Sequence, residues 1–292
     1  AGRLAWALPG VLVVGGAAWA FSPPPSPPKA ADTPMNVLIV ASDSLRYDRL
    51  GAHGHPRDVS PNIDAFAQTA ADLQQLHVAT ASTLESWITS FSSRLPPNHG
   101  VRYMYLRREQ AEAASAMADM LPRWLTAQGY ETFVVSDWAG NCFKLVDVGF
   151  ARNDASDTQN FTSFIMESTI WGHFVFPLYF SNAFGEVLIP EVARTTKYLR
   201  PRALTQRTFD RIDAATRAGK PFFGLLFFST THLPYTARYP HNVRYTDPDY
   251  TGPHKYEIDV KVHELISTGF DQAPAPETIE HIRALYDGAV RE

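Results

Sequence analysis

Three polar residues occupy positions from which side chains often act in enzymes. Asp43 and His232 each follow an apolar run, and Thr83 opens a predicted helix in the stretch "TASTLESW". A carboxylate at the end of a buried strand is a common metal ligand, although it also caps turns. A threonine at a helix start is either an N-cap or a nucleophile, and a loop histidine either contacts substrate or bonds to the backbone.

These residues need a scaffold, and the hydrophobic pattern supplies one. Apolar runs predict parallel strands over 36–41, which we expect to be buried, over 130–137 and over 220–229. Helices are predicted to begin at Pro61 after Ser60, over 113–129 ending at Gly129, and over 201–219. Alternating helices and strands indicate a three-layer α/β/α sandwich with a largely parallel sheet. Since ligands bind at the carboxyl ends of such strands, the three polar residues are expected to converge there.

The N-terminal residues predict a membrane attachment. Residues 4–21, "LAWALPGVLVVGGAAWAF", carry no charge and have tryptophans near both ends, which favours a transmembrane segment over 1–21. A signal-peptide remnant, with cleavage near Ala18-Trp19-Ala20, is the alternative. The proline-rich stretch 22–34 predicts a stiff linker to a domain over 35–292. Both interpretations place that domain outside the cytoplasm, in the periplasm or the extracellular space.

Charge, cysteine content and the last helix further limit the function classes and the domain organisation. A net charge of −4 gives no electrostatic basis for nucleic-acid binding. The single cysteine, Cys142, forms neither an intramolecular disulfide nor a zinc cluster. The helical pattern of "PETIEHIRALYDGAVRE" has no glycine or proline to end it, so we expect a domain that is incomplete at its C-terminus.

Four stretches, in this order, resemble the sulfatase branch of the alkaline phosphatase superfamily. They are "NVLIVASDSLRYDRLGAHGHPRDVSPNIDAFA", "TLESWITSFSSRLPPNHGV", "KPFFGLLFFSTTHLPYTARYP" and "ALYDGAVRE". The resemblance implies that Asp43 and Thr83 are metal ligands, that Thr83 is also the nucleophile, and that His232 binds substrate. The final metal ligands, an aspartate and a histidine, would lie beyond Glu292, so the present chain alone is expected to be inactive.

The resemblance also implies a reaction. A divalent cation (Zn²⁺, Mn²⁺, Mg²⁺ or Ca²⁺) would activate the Thr83 hydroxyl for attack on a sulfate or phosphate ester. Sulfatases use a cysteine or serine that is converted to formylglycine, and threonine is not open to that conversion. Threonine here resembles the family's membrane-anchored phosphoglycerol and phosphoethanolamine transferases. We therefore expect a metal-dependent hydrolase or transferase whose partners are the membrane and a small-molecule, lipid or glycan ester.

Departures from the family pattern keep two other hypotheses open. Ser44 stands where sulfatases have a second aspartate, Trp87 where they have an arginine, and Asp137 and Ala139 where the sulfate pocket has a lysine and a histidine. These losses favour a degenerate, non-catalytic domain that binds anionic glycans or lipid head groups. A conventional secreted hydrolase is the other alternative. Three further histidines are not expected to be metal ligands. His53 and His55 lie in a Gly/Pro turn where the family has no ligand, and His99 is expected to shape the turn after the Thr83 helix.

Overall fold

The computed structural model describes residues 34–155, 201–235, 237–252, 254–255 and 274–292. Residues Asn36–Glu292 form one compact unit. The predicted membrane segment 1–21, and all of the linker before Pro34, lie outside the described residues. Within the described ranges, no helix is both long enough and apolar enough to cross a membrane.

A parallel sheet carries the fold, as the sequence predicts. Its described strands are β1 (Val37–Ser42), β2 (Glu131–Ser136), β3 (Arg152–Asp154) and β4 (Phe222–Phe228). They are arranged in the order β1-β4-β2-β3, and every pair is parallel. β4 therefore lies between β1 and β2, and the carboxyl ends of these three strands meet at one edge of the sheet.

Helices cover both faces of this sheet. In chain order the α-helices of the described residues are α1 (Pro61–Ala67), α2 (Thr83–Ser92), α3 (Pro96–His99), α4 (Arg108–Ser115), α5 (Leu121–Ala127), α6 (Cys142–Leu145), α7 (Pro201–Arg217) and α8 (Pro276–Arg291). Successive side chains of a strand point to opposite faces. Accordingly Phe223 and Leu225 of β4 pack in one core with Leu84 and Ile88 of α2. Phe222 and Leu226 pack in a second core with Leu204 of α7, which confirms the three-layer architecture.

Two predictions about individual elements are wrong. The helix predicted over 113–129 is two helices, α4 and α5, because Pro122 lies in the first turn of α5 and cannot continue a preceding helix. Gly129, with φ of 89°, does end the second one. The first strand is parallel but not buried: in the described part of the sheet β1 pairs only with β4, and Val40 is 63% exposed.

Candidate functional site

The edge where β1 and β4 end brings two of the predicted site residues into contact. Asp43 directly follows β1, and its backbone N–H donates to the carbonyl of Phe228, the last residue of β4, at 2.8 Å. Thr83 is the first residue of α2. Its hydroxyl donates a hydrogen bond to the Asp43 Oδ2 atom at 3.1 Å, across 40 residues of sequence. Both side chains are half-buried, so they are held in place and can still be reached from solvent.

The start of α2 shows that Thr83 is not its N-cap. The N-cap position belongs to Ser82, whose backbone is extended (φ −146°, ψ 132°) and whose side chain makes no capping hydrogen bond. Instead the Ser82 hydroxyl donates to the carboxylate of Glu85. The first-turn N–H groups of a helix have no acceptor within the helix, and they attract anions. With the Ser82 hydroxyl turned away, no capping side chain of the described residues competes for those groups.

Two polar side chains, one in α2 and one in the turn after it, are buried. Glu85 is 4% exposed and His99 is 8% exposed. The His99 Nδ1 atom accepts from the Val101 N–H at 3.1 Å, so its proton lies on Nε2, which is 3.1 Å from the Thr89 hydroxyl. Burial lowers the pKa of His99 and keeps it neutral. The predicted role of His99 in the turn after the helix is confirmed.

The third predicted residue, His232, lies in the loop after β4. Its Nδ1 atom donates to the carbonyl of Leu233 at 2.8 Å, which is the backbone contact that one interpretation of the sequence predicted. Its ring packs edge-on against Trp138, with centroids 4.9 Å apart. Among the described residues, its Nε2 atom has no hydrogen-bond partner and is available to a ligand.

Thr231 connects the His232 loop to Asp43, a link that sequence reasoning missed. Its hydroxyl donates to the Asp43 carbonyl at 2.6 Å. It therefore accepts from the Ser42 hydroxyl, 2.7 Å away, because a hydroxyl has only one proton to donate. Thr231 is 1% exposed. The two ends of the adjacent strands β1 and β4 are thus fixed to each other beside the Asp43–Thr83 pair.

A second aspartate, Asp137, lies at the end of β2 and is 1% exposed. Its carboxylate accepts backbone N–H groups from Ala139 at 3.1 Å and from Ser229 at 2.9 Å. Burial raises its pKa to about 6 against these stabilising hydrogen bonds, and the nearby negative charge of Asp43 acts in the same direction. Where the resemblance places a lysine, this protein therefore has a buried carboxylate that is held by two backbone N–H groups and by the Ser229 side chain.

The two histidines of the "GAHGHP" turn contact acidic residues other than Asp43. The His53 Nε2 atom lies 3.3 Å from the Asp72 carboxylate, and its ring stacks on Tyr47. The His55 Nε2 atom lies 3.3 Å from the carboxylate of Asp287. Asp72 is thus the acidic neighbour of His53, whereas His55 shares Asp287 with Arg49 and Arg57.

The donors at the edge fit part of a metal site. Asp43 and Thr83 present two oxygen atoms close together, and oxygen ligands suit hard divalent cations such as Mg²⁺, Mn²⁺ and Ca²⁺ as well as Zn²⁺. No group of three or more histidine, cysteine, aspartate or glutamate side chains able to hold a metal occurs among the residues that the structure describes. The described residues therefore supply at most a partial set of ligands.

Comparison with known proteins identifies the family. Residues 35–292 match the family model described as Sulfatase. The chain belongs to the sulfatase family. The match covers all three strand ends that form the site.

Individual relatives of this sulfatase-family chain are distant. Arylsulfatase A from Bos taurus is 29% identical over 109 residues, which is 37% of this chain and 22% of that protein. N-acetylgalactosamine-6-sulfatase from Homo sapiens is 26% identical over 115 residues, again 37% of this chain and 22% of that protein. The matched stretch thus spans about a fifth of the length of these curated relatives.

A solved structure supports the fold of the sulfatase-family chain. The phosphonate monoester hydrolase of Agrobacterium radiobacter superposes with a TM-score of 0.57 at 18% identity. The superposition covers 88% of this chain and 56% of that one. At this level of identity the likeness concerns the α/β architecture alone.

Proposed function

We propose that the protein is a metal-dependent hydrolase or transferase that acts on sulfate or phosphate esters, with Thr83 as its nucleophile. One observation supports this role above the others: the Thr83 hydroxyl points at the carboxylate of Asp43 from the first turn of α2. Family membership supports the ester class. In this proposal the pair also forms the protein's first two ligands to a divalent cation, Zn²⁺, Mn²⁺, Mg²⁺ or Ca²⁺.

Each residue of the site has a defined part in the proposed reaction. The Thr83 Oγ1 atom forms the new bond to phosphorus or sulfur, and its proton leaves along the hydrogen bond to Asp43. The ester oxygen departs, and the Nε2 atom of His232 steadies the substrate anion or protonates that oxygen. Either role requires the imidazolium form, because Nδ1 already carries the proton donated to Leu233. A divalent cation held by Asp43 and Thr83 would lower the pKa of the threonine hydroxyl and screen the charge of the incoming anion. The first-turn N–H groups of α2 bind the non-bridging oxygens.

Breakdown of the threonine ester decides between the two reaction types. Water releases free sulfate or phosphate and makes the protein a hydrolase. An acceptor alcohol takes over the bound group and makes it a transferase. The proposed membrane segment at residues 1–21 would hold the domain outside the cytoplasm and close to a lipid or glycan ester, which favours the transferase over a secreted hydrolase.

A second candidate function comes from the charges at the site. Asp137 stands where the resemblance places a lysine, and it is buried and already held by the N–H groups of Ala139 and Ser229 and by the Ser229 side chain. Trp87 and Ala139 likewise replace cationic residues of the family pattern. A domain without these cations is the expected form of a degenerate, non-catalytic protein that binds anionic glycans or lipid head groups.

An assay of the full-length protein distinguishes these functions. We expect turnover of at least one of 4-nitrophenyl sulfate, 4-nitrophenyl phosphate and bis(4-nitrophenyl) phosphate, lost with chelator and restored by one of the four cations. Thr83→Ala should lower that rate by about 1000-fold or more, because no other hydroxyl occupies its place. Ser90→Ala is the matched control, since Ser90 is an exposed hydroxyl residue of the same helix.

Two outcomes would contradict the proposed enzyme. Turnover by Thr83→Ala at the wild-type rate would show that this hydroxyl has no part in bond formation. Absence of turnover with every ester, together with retention of the protein on a sulfated polysaccharide resin or on anionic vesicles, would favour the binding domain instead.

A further inference from the structure

The turn that follows Asp43 is held by a tyrosine from the last helix. The backbone N–H of Arg46 donates to the Tyr286 hydroxyl at 2.8 Å. The same hydroxyl donates to the carbonyl of Ser44 at 2.7 Å. One phenol from α8 thus satisfies two backbone groups of the turn, across 240 or more residues of sequence.

This turn needs an external restraint, because Ser44 has a left-handed backbone with φ of 60°. That conformation is unfavourable for a residue other than glycine. On its N-terminal side Asp43 is fixed by Phe228 and Thr231, through the hydrogen bonds described above. On its C-terminal side, the bonds from Tyr286 hold the strained conformation. A turn without them would relax and change the direction of the Asp43 carboxylate.

The surroundings of Tyr286 suit a fixed hydrogen-bonding role. The residue is 4% exposed, and burial raises its pKa to about 12, so the phenol keeps the proton that it donates to Ser44. Its neighbour Asp287 is fully buried and accepts from Arg49 at 3.1 Å and from Arg57 at 2.8 Å. Helix α8 therefore holds the segment after Asp43 at several points.

The same ring also contacts the loop that carries His232. Tyr235, three residues after His232, packs edge-on against Tyr286 with ring centroids 4.9 Å apart. Tyr286 is thus in contact with both loops that carry predicted site residues. Among the described residues, it makes no hydrogen bond to Thr83.

We propose that Tyr286 is a positioning residue that sets the affinity of the site for its divalent cation by fixing the direction of the Asp43 carboxylate. The inference rests on the proposed function, because it requires Asp43 to be a metal ligand. Residues that orient a ligand from outside the coordination sphere typically change metal affinity 10- to 100-fold when they are replaced.

The experiment is a calorimetric titration of the full-length, metal-stripped protein with Mn²⁺ and, separately, with Zn²⁺. Tyr286→Phe keeps the ring and removes only the hydroxyl, and we expect its metal Kd to rise about tenfold. Tyr250→Phe is the matched control, because the Tyr250 hydroxyl also bonds to α8, at Thr278 (3.3 Å), away from Asp43. Its Kd should stay within about twofold of the wild-type value.

Thermal unfolding of the metal-free variants separates positioning from stability. A tyrosine that served only to hold the fold together would lower the melting temperature in Tyr286→Phe and leave the metal Kd unchanged, and that result would overturn the inference. If Asp43→Ala abolishes metal binding while Tyr286→Phe binds as the wild type does, the proposed function stands and this inference falls. If the wild-type protein binds neither cation, both fall.

Discussion

The ends of β1 and β2 carry the same dipeptide and use it in opposite ways. Ser42-Asp43 ends β1 and Ser136-Asp137 ends β2, and both strands flank β4. Each serine hydroxyl bonds to the β4 side of the sheet, Ser42 to Thr231 and Ser136 to the carbonyl of Phe227. The two sites are thus nearly symmetric up to the aspartate.

The surroundings of the two aspartate side chains differ. The Asp43 carboxylate is half-buried and faces a side-chain hydroxyl, that of Thr83. The Asp137 carboxylate is 1% exposed, and it is held by two backbone N–H groups as well as by the Ser229 side chain. A half-buried carboxylate that faces a hydroxyl and solvent is open to a cation or a substrate, whereas a buried carboxylate held by backbone donors stabilises the chain around it. Burial and the backbone donors, and not the residue type or its place at a strand end, separate the proposed chemical role from a structural one.

Replacement of Asp43 tests whether this aspartate has a chemical role, and its expected effect on turnover is the largest of the predicted effects. In the full-length protein, Asp43→Ala should lower turnover of the responsive nitrophenyl ester about 1000-fold or more, equal to about 4 kcal/mol of transition-state stabilisation. Its free energy of unfolding should change little, because the half-buried carboxylate has a single described side-chain partner. Steady-state kinetics and urea denaturation measure the two quantities.

Asp48→Ala is the control for this variant, since Asp48 is an exposed carboxylate of the same loop, paired with Arg46. Its turnover should match the wild type. If Asp43→Ala were instead as active as Asp48→Ala but strongly destabilised, Asp43 would be a structural residue like Asp137, and the contrast between the two strand ends would disappear.

Replacement of Asp137 tests whether this aspartate has a structural role. Asp137→Ala leaves the buried N–H groups of Ala139 and Ser229 without their acceptor, at about 1–3 kcal/mol each. Relief of a desolvated charge offsets part of this cost, as the raised pKa of Asp137 indicates. We therefore expect the free energy of unfolding at pH 7 to fall by about 2–3 kcal/mol in urea denaturation.

The matched control for Asp137 is Asp147→Ala. Asp147 also accepts a backbone N–H, from Gly149 at 2.8 Å, but its side chain is 73% exposed. Water can replace that hydrogen bond, so the loss should stay below about 1 kcal/mol. Equal losses in the two variants would show that burial of the acceptor is not what makes Asp137 important.

The sequence reveals the chemical half of this comparison more readily than the structural half. Asp43 and Thr83 are found from local signals, an apolar run before a carboxylate and a hydroxyl at a helix start, and the fold brings them together. The roles of Asp137, Thr231 and Tyr286 depend on partners about 90 to 240 residues away, which no local pattern contains. Long-range hydrogen bonds of this kind are visible only once the strand order is known.

The same limit applies to the elements of the fold. The run before Asp43 predicts a strand correctly, but it cannot say which neighbours will cover the strand, and Val40 is 63% exposed. Helix α7 and strand β4 are predicted well, because proline and glycine mark the ends of one and a continuous apolar run defines the other. Pro122 indicates a break between α4 and α5, but the helical periodicity of 113–129 favours one continuous helix, and the periodicity is misleading here.

The pH dependence of stability gives the smallest and most specific test of the comparison. The pKa of Asp137 is raised from 3.8 to about 6 in the folded protein, so the folded state holds its proton more tightly than the unfolded state. The resulting stability is present in full below pH 3.8 and is lost as the pH rises through 6. Between pH 5 and pH 7 the loss amounts to about 1 kcal/mol.

Asp137→Asn isolates this contribution, because an amide of the same shape does not titrate. His99 and His241, whose pKa values burial lowers, give the opposite pH dependence, but they are present in both proteins and cancel in the difference. Whatever the variant loses in hydrogen bonding, its free energy of unfolding relative to the wild type should improve by about 1 kcal/mol from pH 5 to pH 7. Parallel curves would mean that Asp137 titrates normally despite its burial, and that it resembles Asp43 more closely than its backbone partners indicate.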